Sequence, residues 1–366
     1  MRVGRILAVL CVTGLLCGAC SKSDESKGQT SSGEAKPAAK ASGAGSAATA
    51  TASSAADVKA PAAASVAADP KAAYNHLPPD CDVVARIDIS KLMSQPAMAK
   101  EVTPLLDQIA KKPDAKSPDF KAFQGFLTEA GIDLKSSFKS AALCVRGVAQ
   151  QAKFSFVVAG DLKPETIVAA MEKAPVKGKK PTVVDIDGRK AISDAKFTMG
   201  QAADGALVFS DDKALFQATT GINDNYRAKY QLPLEGDFGL AVAQGLAKSM
   251  GEKDKSMPKE FGGVDRVTAS VDLTASKAFA RLTCTSPDEA TKLNAMLVLM
   301  KAQFKDKLGA AAKGGLGQGG ELKALENAAS KVEGSTVTID VTLPAEMMDQ
   351  AAQLVAVQLA QVLKTL

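Results

Sequence analysis

Few residues of this 366-residue chain have side chains suited to chemistry, and their spacing decides what each can do. A single histidine, His76, stands in Tyr74-Asn75-His76-Leu77-Pro78, so a site built on several imidazoles, or a Ser-His-Asp relay, has one place to start. Carboxylates pair at Asp185/Asp187 and Asp211/Asp212. The first pair is expected on one side of a strand. The second falls at a helix start, where the backbone dipole favours negative charge, so capping accounts for it without catalysis. Gly315-Leu316-Gly317-Gln318-Gly319-Gly320 fits the spacing G-x-G-x-x-G. The dinucleotide fingerprint needs a strand before that turn, and an amphipathic helical pattern precedes this one, so it reads as a loop. From these residues the expectation is no catalytic group, no metal site, no cofactor, and a protein that is not an enzyme.

The thiols have a more definite chemistry, and the N-terminus sets it. Arg2 and Arg5 precede an apolar run from Ile6 to Leu16, and small residues, Cys17-Gly18-Ala19, stand before Cys20. That pattern is a secretion signal over residues 1–19. In helical geometry the run spans about 16 Å, roughly half a bilayer core, which is too short for a retained transmembrane helix. The stretch Leu15-Leu16-Cys17-Gly18-Ala19-Cys20 resembles the lipobox of bacterial lipoprotein precursors, although that motif usually places Leu three residues before the modified Cys and Leu16 stands one place earlier. The resemblance implies that Cys20 becomes the acylated N-terminus, carrying palmitate-type chains that hold the protein to a membrane of the cell envelope. Ser21 after the Cys resembles the arrangement sent to an outer membrane, with the rest of the chain in the periplasm or at the surface. An ordinary secretory cut suits the same small residues.

Outside the cytoplasm thiols tend to pair. Cys81 opens the first strand and Cys144 lies in a strand of the same half, so a Cys81 to Cys144 disulfide is the favoured pairing. Cys284 is then left free and buried.

The elements that would position these residues begin after a long polar stretch. From Ser21 to about Lys71 the chain is almost wholly Ala, Ser, Gly, Thr, Lys, Pro, Asp and Glu. Such a composition cannot bury enough apolar surface to offset its ordering entropy. Residues 20–73 read as a lipid-anchored, disordered tether with a reach on the order of 40 Å.

The remainder starts near Tyr74, and it starts twice. Leu77-Pro78-Pro79-Asp80-Cys81-Asp82-Val83-Val84-Ala85-Arg86-Ile87 aligns without a gap on Leu232-Pro233-Leu234-Glu235-Gly236-Asp237-Phe238-Gly239-Leu240-Ala241-Val242. In each, a proline lead-in and acidic residues feed alternating apolar positions, the pattern of a turn entering a strand. Paired strands are expected at 140–146 with 153–160 and at 266–273 with 278–285. Each pair is followed by a helix, at 163–173 and 287–308. Further strand pairs turn at Gly188 and Gly334. A strand at 206–210 precedes a helix at 211–219, and an apolar stripe marks a closing helix over 344–366. The fold class is α+β, with two similar halves of mostly antiparallel sheet covered by amphipathic helices, over 74–229 and 230–366.

Composition narrows the function classes. A net charge of +5 with scattered lysines makes no phosphate-binding stripe, and without Trp the usual stacking platform is missing, so nucleic acid is not expected as a partner. The functional expectation is a membrane-anchored, non-catalytic binding or scaffolding module that meets an envelope protein. One alternative is a carrier of lipid or another apolar ligand, which Met296, Met300, Met347 and Met348 would suit. A second is an envelope hydrolase without a recognisable motif. The opening Leu77 to Asp88 resembles that of uncharacterised extracytoplasmic bacterial domains, a resemblance that implies no activity.

Overall fold

The computed structural model describes residues 72–111, 118–148, 151–173, 182–194, 197–202, 204–223, 229–245, 259–313 and 319–365. The signal segment, Cys20 and nearly all of the tether lie outside them.

Among the described residues a 12-stranded sheet, antiparallel at every pairing, organises the chain. The strands that follow the two proline lead-ins, β1 (Val83–Asp88) and β8 (Phe238–Val242), lie side by side near its middle, with six strands beyond β1 and four beyond β8. On the β1 side follow β2 (Phe138–Arg146), β3 (Lys153–Gly160), β7 (Leu207–Ser210), β6 (Phe197–Gln201), β5 (Arg189–Asp194) and β4 (Thr182–Ile186). On the β8 side follow β9 (Val264–Asp272), β10 (Lys277–Cys284), β12 (Thr336–Thr342) and β11 (Ala329–Glu333). The architecture is therefore α+β, built on one large antiparallel sheet.

Helices cover the sheet where alternation leaves an apolar face. Between β1 and β2 lie α1 (Ile89–Ser94), α2 (Pro96–Glu101), α3 (Thr103–Lys111) and α4 (Pro118–Glu129). Then come α5 (Pro164–Lys173) and α6 (Lys213–Thr220), capped by the Asp212 carboxylate accepting from the Leu215 N–H. In the second half α7 (Pro287–Lys313), α8 (Gly319–Asn327) and α9 (Ala345–Thr365) complete the set. One face of the β1 side packs Phe156, Val158, Leu207 and Phe209 against Ile167 and Met171 of α5. Its other face packs Val84, Val157 and Val208 against Leu215 and Phe216 of α6. On the β8 side Val264, Leu282 and Val337 pack against Leu293 of α7. A fourth cluster joins Met98, Val102, Ile109 and Leu127 of α2 to α4 with Ala352 and Leu359 of α9. Each such fully buried aliphatic side chain contributes about 1.5–3 kcal/mol of transfer free energy.

The sheet's middle has a local two-fold register. Val83 faces Val242, Ala85 faces Leu240 and Ile87 faces Phe238. In the ungapped alignment Val83 corresponds to Phe238, Ala85 to Leu240 and Ile87 to Val242, so exchanging the two strands reproduces the pairing. Flanking backbone bonds obey the same exchange: the Asp88 N–H donates to Asp237 O at 2.7 Å and the Ala243 N–H to Asp82 O at 2.7 Å.

Each proline lead-in is gripped by a side chain from the other. Tyr230 donates its hydroxyl to Pro78 O at 2.7 Å and accepts the Cys81 N–H at 2.7 Å. Arg86 is buried and answers on the corresponding turn, donating from Nε to Pro233 O at 2.5 Å and from its terminal nitrogens to Glu235 O at 2.6 Å and Gly236 O at 3.3 Å. Burial pulls the Arg86 guanidinium below its usual value against the nearby Tyr74, Asp88, Asp237 and Glu235, and three carbonyls satisfy its donors. Two glycines make room for this grip. A Cβ on Gly236, which has φ +76°, would meet Val271 O at 2.4 Å, and one on Gly239 would meet Pro233 O at 2.5 Å and Arg86 Nε at 3.0 Å. A disulfide from Cys81 to Cys144 fixes the first lead-in to β2.

Two outcomes follow from this grip. Gly239→Ala pushes the Pro233 turn off Arg86 and is expected to lower stability by about 2 kcal/mol, read as a reduced urea midpoint at unchanged slope. Burial pushes the Tyr230 hydroxyl up to about 12, against the Cys81 N–H that favours its ionised form. A folded value above the unfolded one, about 10, gives stability that is full below pH ~10 and lost as pH rises toward 12. Denaturation at pH 9 to 12 should show that loss in the parent chain and a flatter profile in Tyr230→Phe.

Candidate functional site

The residues singled out for chemistry are mostly committed to structure. Asp185 accepts the Gly188 N–H at 2.8 Å, closing the β4–β5 turn. Asp187 does not share a strand face with it, because it sits in that turn at φ 55°. Asp211 accepts the Phe154 N–H at 2.9 Å, and Asp212 caps α6. Gly319 and Gly320 begin α8, so the end of the glycine-rich stretch joins two helices; Gly315 to Gln318 lie outside the described residues. Cys284 is a buried free thiol, pushed up by burial and by the nearby Glu289, and a protonated thiol is a weak nucleophile. Among the described residues no three or more His, Cys, Asp and Glu side chains gather to hold a metal ion.

His76 is fully buried where the chain enters the fold, in a short 3-10 turn over Ala73–His76. Ala72 and Ala73 are buried too, so the docked chain starts two residues before the sequence-based boundary. The ring lies with Nδ1 2.8 Å from Gly221 O and Nε2 3.0 Å from the Asp204 carboxylate. Both partners are acceptors, so either ring nitrogen that carries a proton has one to receive it. Asn223 adds an N–H to Asn75 O at 2.6 Å. The imidazole is thus a latch on the entering chain, with both nitrogens engaged within the fold.

Two surface features remain. The first is on α7. Ser286 accepts the Glu289 N–H at 3.2 Å and Pro287 opens the helix, with Asp288 and Glu289 in its first turn. Ala290, Leu293, Met296 and Leu297 pack inward on β9, β10 and β12. The outer side is apolar as well: Val298 is 53 % exposed and Leu299 64 %, between exposed Ala295 and Ala302. Phe304 continues the inner stripe but is 48 % exposed. Neighbouring cations are engaged within the fold. Lys292 pairs with Glu289 at 2.8 Å, Lys305 with Glu326 at 3.0 Å, and Lys301 donates to Ala328 O at 2.5 Å. What α7 offers outward is an aliphatic ridge that gains free energy only by losing water. Of the methionines, Met296 packs into the core and Met347 touches Gly320, while the side chain of Met348 lies outside the described set.

The second feature is a half-open cavity of about 330 Å³ between α3, α4 and the turn at 131–135. Its floor is aliphatic and its rim ionic.

The sequence pointed to α7 through its inner stripe. The outer ridge was equally written in Val298 and Leu299, but one apolar stripe masks another when both lie on one helix. The cavity had no sequence signal, since α3 and α4 meet only in the fold.

No family model matches this chain, nor does any curated protein. Among solved structures it is similar to TP0453: crystal form I has a TM-score of 0.38 and 9 % identity over 80 % of this chain and 98 % of that one. Crystal form III has a TM-score of 0.38 and 7 % identity over 79 % and 98 %.

The His76 latch generates an acid-stability outcome. Burial raises the Asp204 carboxyl, but the hydrogen bonds from His76 and the Ala206 N–H outweigh it and hold the group below the ordinary carboxylate value. A depressed folded value gives stability that is present above the unfolded value, about 3.9, and lost as pH falls through the folded one. Unfolding free energies measured from pH 6 to pH 2 should therefore fall less steeply below pH ~4 in Asp204→Asn than in the parent.

Proposed function

We propose that this protein is a lipid-anchored, non-catalytic binding module of the cell envelope. Its signal over residues 1–19 is removed, Cys20 is acylated, and residues 20–73 tether the folded part to the membrane, in the arrangement of bacterial lipoproteins exported toward an outer membrane. The folded part consists of two related lobes, 74–229 and 230–366, whose lead-ins meet at the sheet's centre. The exchangeable register of β1 and β8 and their flanking backbone bonds support that relation.

The observation that carries the functional reading is the outward ridge of α7, aliphatic over Val298 and Leu299 above a packed inner face. A ridge of this kind binds a complementary apolar surface of an envelope protein, each side chain buried there contributing up to about 1.5–3 kcal/mol.

A photo-crosslinking residue at Leu299 in the anchored, native-envelope protein tests this. One saturable protein adduct is expected, abolished by Val298→Asp. The same residue at Val183, an exposed apolar position on edge strand β4, should give no such adduct. Val298→Asp should leave folding unchanged within about 0.5 kcal/mol, because the position is on the surface. Recovery of lipid alone at Leu299 would replace this reading with the carrier, and loss of membrane partition must accompany Cys20→Ala for the anchor to stand.

A further inference from the structure

The cavity between α3 and α4 has a composition that selects a ligand, independently of the α7 ridge. Leu106 of α3, Leu127 of α4, and Ile132 and Leu134 of the following turn supply its aliphatic floor. Polar groups in the wall are already spoken for: Gln124 donates its amide to Ile109 O at 2.6 Å and Thr128 its hydroxyl to Gln124 O at 3.0 Å. An occupant therefore buries an apolar body there. At about 330 Å³ the space lies at the small end of the range of roughly 300–1,000 Å³ for small-molecule sites.

Charge at the rim is unbalanced. Lys135 reaches across the mouth to Asp107 of α3 at 2.5 Å, a strap between the two walls. Asp133 is the third charged group at the rim. Its carboxylate accepts the Lys135 N–H at 2.9 Å and the Ser136 hydroxyl at 2.8 Å, and these bonds hold it below the usual carboxylate range, so it stays anionic. Two carboxylates and one ammonium line the mouth, the Asp133 oxygens being engaged by their own turn. A cationic head entering the mouth replaces Lys135 at Asp107 with the Asp133 charge adding to the field, whereas an anionic head gains one ammonium and meets two negative charges.

We infer that this cavity binds a small aliphatic cation, with the chain on the floor formed by Leu106, Leu127, Ile132 and Leu134 and the ammonium at Asp107. The probes are hexylammonium and hexanoate, titrated at pH 7 into the full chain while side-chain methyl resonances are followed. Hexylammonium should shift the methyls of Leu127, Ile132 and Leu134 saturably, about tenfold more tightly than hexanoate. Asp107→Asn should weaken it about tenfold, and Lys135→Ala, which frees Asp107, should tighten it. Because the two variants move in opposite directions, a fold defect in one cannot imitate the pair. Equal affinity for both probes, shifts confined to Val298 and Leu299, no saturable shift, or weakening by Lys135→Ala would each overturn the assignment.

Discussion

The pairing of β1 with β8 depends on how two turns, at Pro78 and Pro233, satisfy their carbonyl oxygens. Pro78 is buried just before β1 and Pro233 half-buried just before β8, so an unmet carbonyl there would cost up to about 1–3 kcal/mol. Tyr230 answers the first and Arg86 the second, each reaching across from the opposite lead-in. The guanidinium is the more demanding partner. It is buried and charged, and it is tolerated because three carbonyls of one turn, at Pro233, Glu235 and Gly236, point at it in an arc that Gly236 and Gly239 keep open. With these grips made, β1 and β8 pair, and the strands to either side have an edge to build on.

From that centre the helices divide the apolar surface unequally. On the β1 side both faces of the sheet are packed, one by α5 and the other by α6 with the entering chain at Ala73 and Leu77. On the β8 side α7 packs Val264, Leu282 and Val337 on one face only, and it carries aliphatic residues on its outer side beyond what that face needs. Val298 and Leu299 stand outside every buried cluster, so nothing in the core calls for apolar residues there. This surplus is what the proposed binding function uses.

The entering chain bears on the proposed tether as well. The described chain enters the fold at Ala72 to Leu77. There His76 is held between Gly221 and Asp204, and Asn223 grips Asn75. These bonds join the entry point to the end of α6 and the β6–β7 loop, while the Ala73 N–H donates to Ser140 Oγ of β2 at 3.0 Å and Ala73 and Leu77 pack with Val84 of β1.

Much of the fold was legible in local pattern. Alternation marked β2, β3, β9, β10 and β12 to within a residue or two, because each has one face on a core and a strand's period is two. Ser286-Pro287 marked the start of α7, and the repeated lead-in marked β1 and β8, since caps and proline turns are chemistry between near neighbours. Strand β6 was missed: Gly200 interrupts its alternation, and only the fold shows that a Cβ there would lie 2.9 Å from Ala191 Cβ and 3.0 Å from Phe216. The four helices between β1 and β2 were blurred because their apolar residues serve two clusters, one toward the sheet and one toward α9. What the sequence alone determined was thus the α+β class, the repeated entry into the sheet and most element positions. That β1 lies beside β8, that Arg86 is buried on the Pro233 turn, and that α3 and α4 enclose a cavity with an ionic rim were decided by tertiary structure. Each is a meeting of residues far apart in the chain, and a local pattern carries no information about which distant surface will complete it.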